Sequence, residues 1–359
     1  MSSASPAKER RGTVKCLVWD LDDTIWDGVL LEDADVRVRP GVREALAELD
    51  ARGILHSLAS RNDPETALAR LTELGLREYF LYPQIGWGAK SHAVAAVAEA
   101  LNIGVDALAF IDDQPFERDE VTHAHPGVLA LDAADVAVLT ELPALRPAFV
   151  TEDSRRRRHM YQADLERKEA EDHFAGPQDA FLASLDMRLE IARAQESDLQ
   201  RAEELTVRTN QLNTTGRTYA YDELNALRTS DGYLLLIARL TDRYGPYGNI
   251  GLTLVQTPGA AGPTPPPWTI KLLLMSCRVM SRGVGTVLVN SVKRLARDAG
   301  AALQAEFIPT DRNRMMYVSF KFNGFRETGP ADADGLIRLA ADLDKIPDDP
   351  SYTDVTVNV

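Results

Sequence analysis

The feature that most constrains this chain is the junction at residues 14–24, where an apolar run ends in Asp20-Leu21-Asp22-Asp23-Thr24. The run at 14–19 reads as a parallel strand buried on both faces. Asp20 and Asp22 stand two residues apart just past its end. That spacing concentrates negative charge in one turn, which is costly unless a cation compensates it. Such a junction belongs in an α/β sheet, where ligands bind beyond the carboxyl ends of the strands.

The next hundred residues keep that rhythm. Helical patterns are expected at 42–49, opened by Pro40, at 64–74, opened by Pro64, and at 90–101. Strands are expected at 55–59, 80–82, 107–111 and 128–131. The fold class is therefore α/β, with an N-terminal doubly wound domain at 14–131. Chemistry-bearing residues recur at the strand ends: Asp20 and Asp22, then Ser60 and Asn62, then Lys90 at a helix start, then Asp112 and Asp113. A carboxylate nucleophile splits phosphate-ester hydrolysis into two easier steps. A hydroxyl and an ammonium hold transferring phosphoryl oxygens. Clustered carboxylates bind a hard cation, most naturally Mg²⁺.

The order of these four stations resembles motifs I to IV of the haloacid-dehalogenase (HAD) superfamily. The resemblance implies Asp20 as nucleophile, Asp22 as general acid/base, and Ser60 and Lys90 as phosphoryl-binding groups. It places Mg²⁺ on Asp20, Asp112, Asp113 and the Asp22 carbonyl, and gives Asn62 to substrate. Roughly 35 residues lie between Thr24 and Ser60 and about 30 between Ser60 and Lys90, too few for a cap domain. A capless site is open to a large substrate or is covered by another domain.

At 359 residues the chain has room for a second core. Pro143 and Pro147 punctuate a stretch without α/β rhythm, so 132–185 is expected to be linker and connecting helices, and 1–13 a polar tail. Arg155-Arg156-Arg157-Arg158 is a basic run, read either as a solvated helix face or as a dock for an acidic partner. Beyond 186 come a strand at 187–192, a helix at 197–208 capped by Ser197, and strands at 233–242 and 249–256. A proline-rich loop at 258–267 follows, then a strand at 269–275, a helix at 284–299, a strand at 301–307 and a helix at 313–322.

This mixed order resembles the GNAT acyltransferase fold, with Arg282-Gly283-Val284-Gly285 as its phosphate-binding turn, although Met280 replaces the usual Arg or Gln. A HAD domain followed by a GNAT-like domain at 186–359 resembles the FkbH-like family. Supporting stretches are Arg208-Thr209-Asn210-Gln211-Leu212-Asn213-Thr214-Thr215, Asp242-Arg243-Tyr244-Gly245 and Met275-Ser276-Cys277-Arg278-Val279-Met280-Ser281-Arg282-Gly283. The resemblance implies a bifunctional glyceryl transferase and phosphatase of polyketide biosynthesis. Such an enzyme takes the glyceryl unit of 1,3-bisphosphoglycerate or a similar acyl phosphate, dephosphorylates it, and loads it on an acyl carrier protein through a cysteine thioester. Cys277 is the candidate thiol, because Arg278, Arg282 and a following helix start favour a thiolate. Cys16 lies inside the first strand and reads as packing. Asn210, Gln211, Asn213, Arg243, Arg278 and Arg282 are assigned to glyceryl or oxyanion binding. The alternative is a Mg²⁺-dependent phosphomonoesterase whose second domain only recognises substrate.

Bulk properties narrow the field. A formal charge of −14 leaves no broad basic surface for nucleic acid. Two cysteines give no disulfide framework. No apolar run reaches membrane-spanning length and the start is polar, so a cytoplasmic enzyme is expected.

Overall fold

The computed structural model describes residues 14–33, 35–147, 150–209, 211–258 and 266–359. The tail at 1–13, Asn210 and most of the 258–267 loop lie outside the described residues. The chain divides into two compact units, Met1–Gln162 and Ala163–Val359.

In the first unit, β1 (Cys16–Trp19) leads into a small antiparallel ribbon, β2 (Trp26–Asp27) with β3 (Arg37–Val38). Then α1 (Val42–Ala51), β4 (Leu55–Ser60), α2 (Pro64–Glu73), β5 (Gln84–Ile85) and α3 (Lys90–Leu101) follow. β6 (Leu108–Asp112), α4 (Pro115–Ala124) and β7 (Leu129–Asp132) complete a parallel sheet of order β5-β4-β1-β6-β7. The order reverses at β1, as a doubly wound sheet requires, and the reversal point is where such sheets bind ligands. No cap domain interrupts the gaps around β4. Pro64 stands in the first turn of α2, as expected, and Asp63 caps the helix by accepting from Thr66 N at 2.9 Å. Two local expectations change. Pro40 does not open α1; Gly41 caps it at φ 85, a left-handed conformation suited to glycine. The strand expected at 80–82 is a single bridge from Phe80 to His56, and the paired strand is Gln84–Ile85.

All six residues of β4 are buried, including His56. Its Nδ1 accepts from Trp19 Nε1 at 3.1 Å, which leaves Nε2 to donate to Leu46 O at 3.1 Å. Burial pushes the imidazole pKa down to about 3, so the ring is a neutral tie between β1, β4 and α1.

The segment expected to be linker and connecting helices, 132–185, holds three helices and gives side chains to both cores. A 3₁₀ stretch, Ala133–Glu141, sends Ala133, Val136 and Leu139 into the first core, joined by Leu145. α5 (Glu152–Arg155), α6 (Arg157–Asp172) and α7 (Gln178–Ser184) follow, and Phe181, Leu182 and Leu185 enter the second core. The four-arginine run is correspondingly not one solvated face. Arg158 is buried against Asp50 at 3.1 Å and lies over the Tyr79 ring, and Arg157 donates to Gly53 O at 2.7 Å. Arg155 and Arg156 are the exposed pair.

The second unit is a mixed sheet. β8 (Met187–Arg193), α8 (Leu199–Arg208) and α9 (Tyr221–Thr229) precede a long hairpin, β9 (Tyr233–Asp242) with β10 (Gly245–Gln256). β11 (Trp268–Met275), α10 (Val284–Asp298), β12 (Leu303–Phe307) and α11 (Arg314–Phe322) come next. β13 (Phe325–Glu327), β14 (Ile337–Ala341) and β15 (Thr353–Asn358) finish it, in the order β13-β14-β12-β11-β10-β9-β8-β15. The period-2 pattern of β9 assigns its faces. Leu234, Leu236, Ala238 and Leu240 join the core that also holds Val287 and Phe320, whereas Leu235 and Ile237 pack with Leu199, Leu205 and Leu224. Ser197 is not the cap of α8; it lies in a 3₁₀ turn, Glu196–Asp198, closed by a box between Gln195 and Asp198.

β11 and β12 pair in parallel only over Trp268–Ile270 and Leu303–Ala305. Past that point residues 212–214 stand in the gap. Met275 N donates to Leu212 O, Thr214 N to Leu273 O, and Ile308 N to Thr214 O, each at 3.0 Å. The Thr214 hydroxyl also accepts from Leu273 N at 3.0 Å. Diverging parallel strands thus have their backbone groups satisfied by the protein's own chain.

Candidate active site

Strand register assembles the first-unit site. Trp19 lies opposite Leu58 on β4 and Ile111 on β6, and Asp20 N donates to Ile111 O at 3.0 Å. Asp20 therefore emerges beside Asp112, the last residue of β6. Lys90 is the first residue of α3, and its ammonium bridges the two carboxylates, 2.8 Å from Asp20 Oδ1 and 2.6 Å from Asp112 Oδ2. All three side chains are buried. Asp112 Oδ1 accepts from Gln114 N at 2.8 Å, and Thr24 Oγ1 accepts from Asp113 N at 3.1 Å. Glu120 fixes the start of α3 by accepting from Ser91 N at 3.0 Å and from its hydroxyl. The sequence reading missed Glu120 and Trp26; a capping carboxylate twenty-nine residues from its helix start leaves no local signature.

Burial is the main reason that the Asp20 pKa rises to about 6; Asp112 adds to the rise and Lys90 opposes it. Burial alone pulls the Lys90 ammonium down, but Asp20 and Asp112 outweigh it and the net shift is upward. Asp113 is raised by burial and by the Asp112 charge. Even with Lys90 present, the cluster carries excess negative charge. Asp20, Asp112 and Asp113 each offer one oxygen, all within 4.8 Å of one another, and Asp113 Oδ1 is buried without a hydrogen-bond partner. An oxygen-only donor set with an orphaned carboxylate oxygen fits a hard divalent cation such as Mg²⁺.

Asp22 is held differently. Its Oδ1 accepts from Trp26 Nε1 at 2.8 Å and Leu30 N at 3.1 Å, and its Oδ2 accepts from Asn62 Nδ2 at 3.0 Å. Its side chain is outside the three-carboxylate group. Asn62 was expected to meet substrate, but it is fully buried, with Oδ1 accepting from Asp63 N at 3.0 Å. It orients Asp22 instead. Ser60 ends β4 and is buried beside this group's strand ends.

Of the residues nominated in the second unit, all but Asn210 are described. Cys277, half-buried, follows β11 and opens a 3₁₀ turn, Cys277–Val279. Its sequence neighbours are engaged with carboxylates of α6. Arg278 lies 3.5 Å from Asp164 and donates to Tyr247 O at 2.5 Å; Arg282 lies 3.3 Å from Glu171 and over the Phe181 ring. Asn213 is buried and its Oδ1 accepts from Thr215 N and Gly216 N, an Asx-type turn that shapes the 212–215 insertion. Arg243 is exposed and donates to Ser184 O at 3.3 Å, and Gln211 is exposed. The neighbour of Arg243 is the buried group: Asp242 pairs with Arg167 at 2.7 Å and accepts from Tyr247 Oη at 3.1 Å.

The glycine turn before α10 also has structural occupants. Gly283 has φ 74, and a Cβ there would stand 2.9 Å from Tyr352 Oη. A Cβ on Gly285 would stand 2.8 Å from Met275 Cε. Close packing favours glycine at both positions.

No family model and no curated protein matches this chain. Among solved structures, it is similar to the N-terminal part of a Bacteroides fragilis protein containing a phosphatase domain, complexed with Mg. Identity there is 31%, over 37% of this chain and 40% of that one, with a TM-score of 0.33. It is also similar to the GNAT domain of S. lividans PAT, at 19% identity over 42% of this chain and 88% of that one, TM-score 0.33. A spermidine N-acetyltransferase from Vibrio cholerae matches at 14% identity over 44% of this chain and 95% of its own, TM-score 0.34. Each overlap spans less than half of this chain, so the functional reading rests on side-chain geometry. Among the described residues, no helix is long and apolar enough to cross a membrane.

Proposed function

We propose that the first unit is a Mg²⁺-dependent phosphohydrolase acting on phosphate monoesters through Asp20. One observation carries this: Asp20, Asp112 and Asp113 converge around Lys90, with Asp113 Oδ1 left unpartnered. Asp20 attacks phosphorus, the bond from phosphorus to the ester oxygen breaks, and Asp22 gives that oxygen a proton. Water then attacks the phosphoaspartate with Asp22 taking its proton, which restores Asp20 and releases inorganic phosphate. Lys90 and Ser60 hold the equatorial oxygens, and Asn62, Trp26 and Leu30 N keep Asp22 in line. Asp20, Asp112 and Asp113, together with the Asp22 carbonyl, would hold Mg²⁺, which would supply charge neutralisation on the phosphoryl group.

A second reading extends this to glyceryl transfer, and the half-buried thiol of Cys277 beyond β11 favours it. The sulfur attacks the acyl carbon of 1,3-bisphosphoglycerate or a similar acyl phosphate, the bond from carbon to phosphate oxygen breaks, and phosphate leaves with the thiol's proton; the 3-phosphate ester of the remaining phosphoglyceryl thioester is then hydrolysed through Asp20 to leave the glyceryl thioester. An acyl carrier protein's thiol then takes the glyceryl unit by thioester exchange, returning a proton to the Cys277 sulfur. Intact-protein mass spectrometry after incubation with 1,3-bisphosphoglycerate separates the readings. A glyceryl increment that maps to Cys277 and is lost in Cys277→Ala supports transfer. Release of phosphate stopped by EDTA and restored by Mg²⁺, with no adduct on Cys277, leaves the hydrolase alone, its second unit serving substrate recognition.

A further inference from the structure

Three loops that carry the phosphohydrolase residues also carry large apolar side chains in solvent. Trp87, three residues before Lys90, is 70% exposed; Phe116, three after Asp113, is 69% exposed; Leu31 is 51% exposed, next to the Leu30 amide that binds Asp22. Single exposed hydrophobics need no explanation. Here, however, the large exposed hydrophobics described in the first unit are these three and Val138, so three of the four lie within a few residues of a group of the candidate site.

Arg61 ties two of these loops together. It follows Ser60 directly, lies 2.9 Å from Glu117 beside Phe116, and donates at 3.4 Å to the carbonyl of Gly88 beside Trp87. Glu117 is itself buried. The two aromatic rings thus stand on backbone anchored through a common guanidinium. Gly86 and Gly88 flank Trp87, and a Cβ at either would meet nothing within 4 Å. No cap domain interrupts the chain between β1 and β4 or between β4 and α3.

We infer that Trp87 and Phe116, with Leu31, form an apolar rim that grips the leaving group of the phosphate ester. The substrates favoured are monoesters whose alcohol carries a planar or apolar segment beyond the ester oxygen. Without a cap, the rim supplies binding energy from the non-reacting part of the substrate, energy that a small polar alcohol does not offer. The inference rests on the phosphohydrolase reading and narrows its substrate class.

The test compares kcat/KM for 1-naphthyl phosphate with that for glycerol phosphate, in Mg²⁺, for the full chain. Trp87→Ala and Phe116→Ala are each expected to lower the naphthyl-to-glyceryl selectivity ratio roughly tenfold, chiefly through KM for the naphthyl ester. Trp87→Phe should recover most of the ratio. Val138→Ala, an exposed apolar residue outside these loops, should leave both rates at the wild-type level. Hydrolysis of both esters with a ratio unmoved by either alanine variant would overturn the rim and leave the hydrolase standing. Absence of phosphate release from either ester by the wild-type protein would overturn the hydrolase and the rim with it.

Discussion

Asn62 shows how a residue's chemistry is decided by its partners. From sequence it is a polar group beside a phosphoryl-binding serine, free to meet substrate. In the fold its amide is spent on Asp22 and on Asp63 N. Asn62→Ala should therefore lower kcat for phosphate release by roughly tenfold or more, because Asp22 loses one of three donors that fix its proton-transfer position. KM should change by less than about twofold. A rise in KM at unchanged kcat, measured by steady-state phosphate release, would return Asn62 to substrate binding. The carboxylates and Lys90 were legible in the sequence because each sits at a strand or helix end, and chain order predicts that such ends converge. Asn213, Arg243, Arg278 and Arg282 were not legible as structural residues. The three arginines meet partners from elsewhere in the second unit, Ser184, Asp164 and Glu171, and so depend on tertiary packing, whereas Asn213 closes a local turn with Thr215 N and Gly216 N.

Elements were legible where a period or a stop signal was strong. α3 and β4 fall within a residue of expectation, and Pro64 marked the start of α2. α9 and the terminal strands were missed; β15 has only an alternating half-exposed pattern and is defined by parallel pairing to β8. β4 makes a prediction through His56. Its folded pKa of about 3 lies below the ordinary 6.5, so the unfolded chain binds the extra proton between those values. The stability this neutral ring contributes is complete above about pH 6.5 and is lost as pH falls toward 3. The stability gap between wild type and His56→Leu, followed by urea midpoints, should narrow as pH drops from 7 to about 4. A gap independent of pH would mean that His56 is not buried neutral. The turn before α10 makes another. Gly283→Ala forces a side chain into φ 74 and against Tyr352, and should destabilise the second unit by about 1–2 kcal/mol in urea unfolding. An unchanged midpoint would mean that the tail at 350–352 does not pack on this turn.

At the scale of the whole molecule, the two units divide the chemistry unequally. The first brings together nearly every residue that its sequence nominated. The second has the expected mixed sheet, but its nominated polar residues mostly hold the protein's own backbone and helices. Among the described residues, Asp20, Asp112 and Asp113 are the one group of three acidic or metal-ligating side chains that could hold a metal ion. Their convergence is the basis for assigning phosphoryl chemistry to Asp20. The direct measurement is peptide mass spectrometry on protein quenched in acid during turnover of a phosphate monoester with Mg²⁺. The expected result is one phosphoryl group on the peptide containing Asp20, absent when Asp20→Asn is used and absent when EDTA is present. Steady release of phosphate by a folded Asp20→Asn protein, or a phosphoryl group found on another residue, would contradict it.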